Sequence, residues 1–83
     1  MSKKEKLLAR FLTNPKDFTF FELKSLLSFF GFEEVQGTGS RVAFKHIVLK
    51  YSIKIHKPHP SNILKQYQLK IIKRELKSKE IIK

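Results

Sequence analysis

The sequence predicts an α+β fold: a three-stranded antiparallel sheet with helices packed on one face and an extra helix at the N-terminus. The hydrophobic period is helical as far as Phe30, becomes two between Arg41 and His56, and is helical again after Lys65. A chain of 83 residues has room for one core and not two, so residues 1–83 are expected to form a single domain. Its 41% hydrophobic and 12% aromatic content supplies enough apolar surface to offset the entropy of folding.

Ser2 and Glu5 have the spacing of a capping box, and Leu7, Leu8, Phe11 and Leu12 follow at helical intervals. A short helix is expected from about Lys3 to Thr13, ended by Asn14-Pro15 because the residue before a proline is pushed out of the helical region. Thr19 and Glu22 form a second box ahead of Leu23, Leu26, Leu27 and Phe30, with Gly31 suited to a left-handed cap. Phe20 to Phe30 is therefore a helix. Phe32 to Gln36 reads as a short strand, and Gly37-Thr38-Gly39-Ser40 as the turn after it.

From Arg41 to His56, alternation places Val42, Phe44, Ile53 and Ile55 on one face and Arg41, Lys45, Lys54 and His56 on the other. A turn centred between Val48 and Leu49 would pair Arg41 with His56 and Lys45 with Ser52, although no Asn-Gly pair fixes it. Two prolines make His56 to Asn62 a loop. A last helix is expected from near Lys65 to Ser78, with Leu69, Ile72 and Leu76 as its apolar stripe and Lys70, Lys73, Arg74 and Lys77 as a basic one. Lys79 to Lys83 are expected to fray. The expected core is Phe20, Leu23, Leu26, Leu27, Val42, Phe44, Ile53, Ile55, Leu69, Ile72 and Leu76.

Charge gives the first functional signal: 18 Lys and Arg against 7 Asp and Glu leave a net +11. A phosphate backbone is the natural counterpart, though anionic membranes and acidic proteins also attract such a chain. Residues 54–83 carry nine basic and two acidic side chains, against five and four in residues 14–53, which points to the C-terminal third as the binding surface. A membrane surface is disfavoured, since Leu69, Ile72 and Leu76 are needed for the core and Trp is absent. Charges fill Met1 to Arg10 where a signal peptide would be apolar, so a cytoplasmic protein is expected.

Gly37-x-Gly39 lacks the rest of a nucleotide fingerprint and is read as a turn. Glu33 and Glu34 point to opposite strand faces, which leaves no carboxylate pair for acid–base work. With no cysteine in the chain, the ligand set for zinc is short, and neither a metal nor a cofactor is expected. His46 falls on the apolar face beside Tyr51 and is read as a packed or rim histidine. His56 shares the solvent face with Arg41 and Lys54, where an imidazole can move protons while cations stabilise charge on a phosphate. Its competing reading is a surface histidine that only touches phosphate.

Gly31-Phe32-Glu33, then Gly39-Ser40-Arg41, a strand ending at His56, and Leu64-Lys65 leading into a helix with Ile72 together resemble the HicA toxins, over roughly Thr19 to Leu76. The resemblance implies a double-stranded-RNA-binding-like α-β-β-β-α fold, cleavage of mRNA without a metal, either ribosome-dependent or free, and inhibition by an acidic HicB-like antitoxin. The usual family pattern puts its catalytic histidine directly after Gly-Ser, where this chain has Arg41. It is similar instead to a divergent branch reading Gly-Ser-Arg-Val with a later His-Lys/Arg-Pro-His-Pro, matched by Gly39 to Val42 and His56 to Pro60. Arginine binds phosphate but is no base near neutral pH. The expected catalytic residues are therefore His56 and His59, with Arg41, Lys45, Lys54, Lys57, Lys70, Lys73, Arg74 and Lys77 on phosphates. Two other classes compete: a non-catalytic RNA-binding module, and a basic interaction protein whose charge serves only an acidic partner.

Overall fold

The changes of hydrophobic period become elements in the computed structural model, which describes residues 3–58 and 61–82. They are α1 (Lys3–Leu12), α2 (Phe20–Phe29), β1 (Phe32–Gln36), β2 (Arg41–His46), β3 (Tyr51–His56) and α3 (Gln66–Ser78). This is the expected α+β architecture, double-stranded-RNA-binding-like from α2 to α3 with α1 added in front. Ser2 of the first capping box lies outside the described residues. Asn14 closes α1 in the left-handed region at φ 53°, a conformation asparagine tolerates.

At the start of α2 the capping box is complete. The Thr19 hydroxyl accepts from the Glu22 N–H at 3.1 Å and the Glu22 carboxylate accepts from the Thr19 N–H at 3.0 Å. Arg10 of α1 donates to the same carboxylate at 2.7 Å and to the Asp17 carbonyl at 2.9 Å. One glutamate thus caps α2 and docks α1. The Arg10 hydrogen bond lowers the Glu22 carboxyl below the ordinary range against an opposing desolvation effect, and hydrogen bonds from Thr19 add to the lowering. Its contribution is fully present above the unfolded-chain value of about 4.3 and is lost as pH falls through the lower folded value. Glu22→Gln is accordingly expected to flatten the acid limb of stability against pH, which urea unfolding between neutral and acid pH would measure.

The sheet order is β1-β2-β3. Arg41 pairs with His56, Lys45 with Ser52 and His46 with Tyr51, the register expected for a turn centred between Val48 and Leu49. On β1, Phe32 pairs with His46 and Gln36 with Val42. Val42, Phe44 and Ile53 are buried against Leu23, Leu26 and Leu27 of α2 and Leu69, Ile72 and Leu76 of α3. Phe20 is buried with them, and Ile55 is half-buried at the margin. Phe11, Phe18, Phe32, Leu64 and Ile82 complete the cluster and were not among the expected core residues.

Two joins hold the ends of this layer. Residues 18–20 and 62–64 run side by side, with Phe20 N–H on the Asn62 carbonyl at 2.7 Å and Leu64 N–H on the Phe18 carbonyl at 2.8 Å. That pairing carries Phe18 and Leu64 inward. The expected fraying after Ser78 is corrected for residues 79–82: Glu80 turns left-handed at φ 59°, and the Ile81 N–H reaches the Leu76 carbonyl at 2.9 Å. The reversal lays Ile82 over the end of the core, where it is buried. Tyr51 donates to Glu75 across β3 and α3. Burial first and that carboxylate second push its hydroxyl up to about 12. Among the described residues no helix is long and apolar enough to cross a membrane.

Candidate functional site

Directly opposed residues in an antiparallel sheet share a face, so the register sorts the side chains without further assumption. Glu34, Val42, Phe44, His46, Tyr51 and Ile53 point toward the helices. Val35, Arg41, Ala43, Lys45, Lys54 and His56 occupy the opposite face, which no helix among the described residues covers. Ala43, between Val35 and Lys54 in the middle of that face, has only a methyl group. The sheet is therefore dished there, forming a shallow depression with Arg41, Lys54 and His56 along its rim.

The Gly-Ser turn closes one end of the depression. Gly37 N–H donates to the Arg41 carbonyl at 2.8 Å, and Gly39 takes φ 65°. This brings Ser40 next to the end of β3, with the Lys57 N–H on the Ser40 carbonyl at 2.8 Å and the Ser40 hydroxyl 3.4 Å from His56 Nδ1. The imidazole is exposed. Its backbone is held from the other side, since Gln68 at the start of α3 donates to the His56 carbonyl at 3.3 Å. Ser40 and Gln68 escaped the sequence reading. The signal for Ser40 was its place in Gly39-Ser40-Arg41, while nothing local marks Gln68.

Arg41, Lys45, Lys54 and His56 thus lie together as the alternation requires. Lys45 is paired in register with Glu33, whose carboxylate lies on the same face and offsets its charge. Lys57 is placed differently: one residue past His56, its ammonium lies 5.6 Å from the centre of the Phe20 ring. Lys57 therefore does not share the open face with Arg41 and Lys54. Lys70, Arg74 and Lys77 are exposed and Lys73 half-buried along the flank of α3 beside its buried stripe, a second basic surface separate from the open sheet face. His59 lies outside the described residues.

His46 is a rim histidine, its ring edge-on to Phe32 at 5.0 Å and its Nδ1 accepting the Leu49 N–H at 3.0 Å. Glu33 and Glu34 point apart, and Glu34 pairs with Lys24 at 2.8 Å. Among the described residues no three His, Asp or Glu side chains converge as metal ligands. What the open face offers is an imidazole and fixed cations around a hollow.

A family model described as HicA toxin of bacterial toxin-antitoxin matches residues 21–78, more than two thirds of the chain. The chain belongs to the HicA toxin family. The matched span contains the open face, the Gly-Ser turn, His56 and the whole of α3, whereas α1 precedes it. As a HicA family member the protein is a toxin of a bacterial toxin–antitoxin system. Comparisons with curated proteins and with solved structures give no match.

Proposed function

We propose that this HicA family toxin binds mRNA across the open sheet face and cleaves it without a metal, His56 acting as the general base beside Arg41. The observation that supports this reading most is the direct β2–β3 pairing of Arg41 with His56 on the uncovered face, next to Lys54. Arg41 takes the scissile phosphate, and its fixed charge stabilises the additional negative charge of the pentacovalent state. The 2′-hydroxyl gives its proton to His56 and its oxygen bonds to phosphorus. The P–O5′ bond then breaks, and O5′ takes a proton from His59 acting as acid. The products carry a 2′,3′-cyclic phosphate and a 5′-hydroxyl.

In the base-competent tautomer the Ser40 hydroxyl, 3.4 Å from Nδ1, accepts from the Nδ1–H and leaves Nε2 free to take the proton. Lys45, Lys57 and the α3 stripe of Lys70, Lys73, Arg74 and Lys77 serve longer RNA segments by charge alone, which positions a strand without reading its sequence. An acidic HicB-like antitoxin neutralises the toxin by covering the same face, and net charge +11 speeds that encounter. Ribosome association enters as a way of presenting mRNA to the face. The non-catalytic binding module uses the same cations without the imidazole, and an inert basic partner of the antitoxin uses neither.

The test is induction of the chain in the cytoplasm with and without the product of its neighbouring gene, scoring growth and RNA decay. Growth arrest with RNA decay, relieved by a co-expressed acidic protein that co-purifies with the chain, is expected. Arrest without RNA decay would leave the toxin assignment intact and remove the nuclease.

A further inference from the structure

Beyond His56 the end of β3 meets the start of α3, and a second, smaller depression opens there, lined by His56, Ile63, Lys65, Tyr67 and Gln68 among others. Tyr67 is 58% exposed and Ile63 43%, an aromatic and an aliphatic side chain left to solvent beside two lysines. The chain's other tyrosine, Tyr51, is tied to Glu75 and half-buried. Nothing in the core requires an aromatic ring at position 67, since α3 buries Leu69, Ile72 and Leu76.

Gln68 fixes this corner relative to His56. Its Nε2 donates to the His56 carbonyl at 3.3 Å while its Oε1 accepts from the Lys65 N–H at 3.0 Å. One side-chain amide therefore joins the last residue of β3 to the residue that opens α3. Tyr67 stands one position before that amide, so its distance from His56 is set by the fold rather than by a loose loop.

We propose that Tyr67 is a stacking platform for one unpaired RNA base, holding a nucleotide next to the phosphate cleaved at His56, with Lys65 on the adjoining backbone. Single-stranded RNA is gripped in this way because every base has a π-face, while neighbouring cations take the phosphates. The charge around Tyr67 favours a nucleic acid over an apolar protein segment. The proposal rests on the RNA-cleaving reading and adds to it a positioning residue on α3. It also gives the phosphate at His56 a neighbour that sets which bond is presented.

The experiment measures binding of a fully 2′-O-methylated single strand, which lacks the nucleophilic hydroxyl, and of the same strand made abasic. Tyr67→Ala is expected to weaken binding of the base-bearing strand on the order of 5- to 150-fold, the range set by removing one stack. The same variant should bind the abasic strand as the unchanged chain does, and Tyr67→Phe should restore base-bearing binding. Lys65→Ala should weaken both strands alike, less at high salt. Equal losses by Tyr67→Ala on both strands, or none on either, would overturn the stacking role while leaving RNA binding in place. A Tyr67→Ala variant that loses antitoxin binding alone would make the corner a protein-docking surface. Failure of the unchanged chain to bind either strand would remove the RNA-cleaving reading itself and this proposal with it.

Discussion

His56→Ala is expected to lose RNA cleavage by about 10²–10⁴-fold, the usual worth of a positioned acid–base group, while binding RNA nearly as the unchanged chain does. The separation follows from charge and exposure. Single-strand binding is dominated by phosphate contacts from Lys and Arg, each contributing a salt-dependent increment, and one neutral imidazole adds little to that sum. His56 is exposed and its backbone is held by Gln68 and by pairing with Arg41, so the truncation leaves the sheet intact. Arg41→Ala should behave differently, weakening binding and cleavage together, because a phosphate clamp acts in the ground state and the transition state alike. Its binding should also depend less steeply on salt, the logarithmic slope falling by about 0.7 for a single-strand phosphate that Arg41 no longer neutralises. Ser40→Ala should slow cleavage with unchanged binding, since among the described residues its hydroxyl hydrogen-bonds to the imidazole alone.

The second large effect concerns α1, which stands before the family-matched span. Phe11→Ala is expected to cost about 3–5 kcal/mol, the range for emptying a buried aromatic site. Phe11 is 1% exposed with its ring 5.7 Å from that of Phe18, and Leu7 and Leu8 pack around the same cluster. A domain of this size has only about 5–15 kcal/mol of total stability, so that loss should leave the variant marginal at growth temperature. Leu12→Ala, one residue on and 37% exposed, should cost clearly less, about 1 kcal/mol, the centre of the range for point substitutions. Urea unfolding of the two variants measures both. Equal and small losses would mean that α1 merely rests on the domain.

The sheet and its two faces were legible because strand alternation is local and symmetric. Val42, Phe44, Ile53 and Ile55 fix which face is buried, and a one-residue slip would have exposed all four. That Arg41 and His56 share the open face follows from alternation, whereas their direct pairing depends also on where the turn falls, which alternation leaves open. What was not legible depends on contacts distant in sequence. Phe18 and Leu64 sit in irregular segments with no period to read, and are buried only because residues 18–20 and 62–64 pair across the molecule. Ile81 and Ile82 have the composition of a frayed tail until a left-handed residue turns them back onto Leu76.

The candidate site divides along the same line. Arg41, Lys45, Lys54 and His56 share a face by alternation alone. Lys57 departs from them because the strand's period carries it to the Phe20 side. Ser40 and Gln68 act on His56 through a turn and a helix start, whose positions depend on the closed fold.

The most direct test of His56-centred, metal-independent cleavage is the chemistry of the cut ends, from single-stranded RNA incubated with the unchanged chain in excess chelator, with and without ribosomes. Attack by the 2′-hydroxyl predicts 2′,3′-cyclic phosphate and 5′-hydroxyl ends that accumulate at the same rate with or without divalent cations. Ends bearing a 3′-hydroxyl and a 5′-phosphate, or ends formed only when the cation is restored, would contradict it.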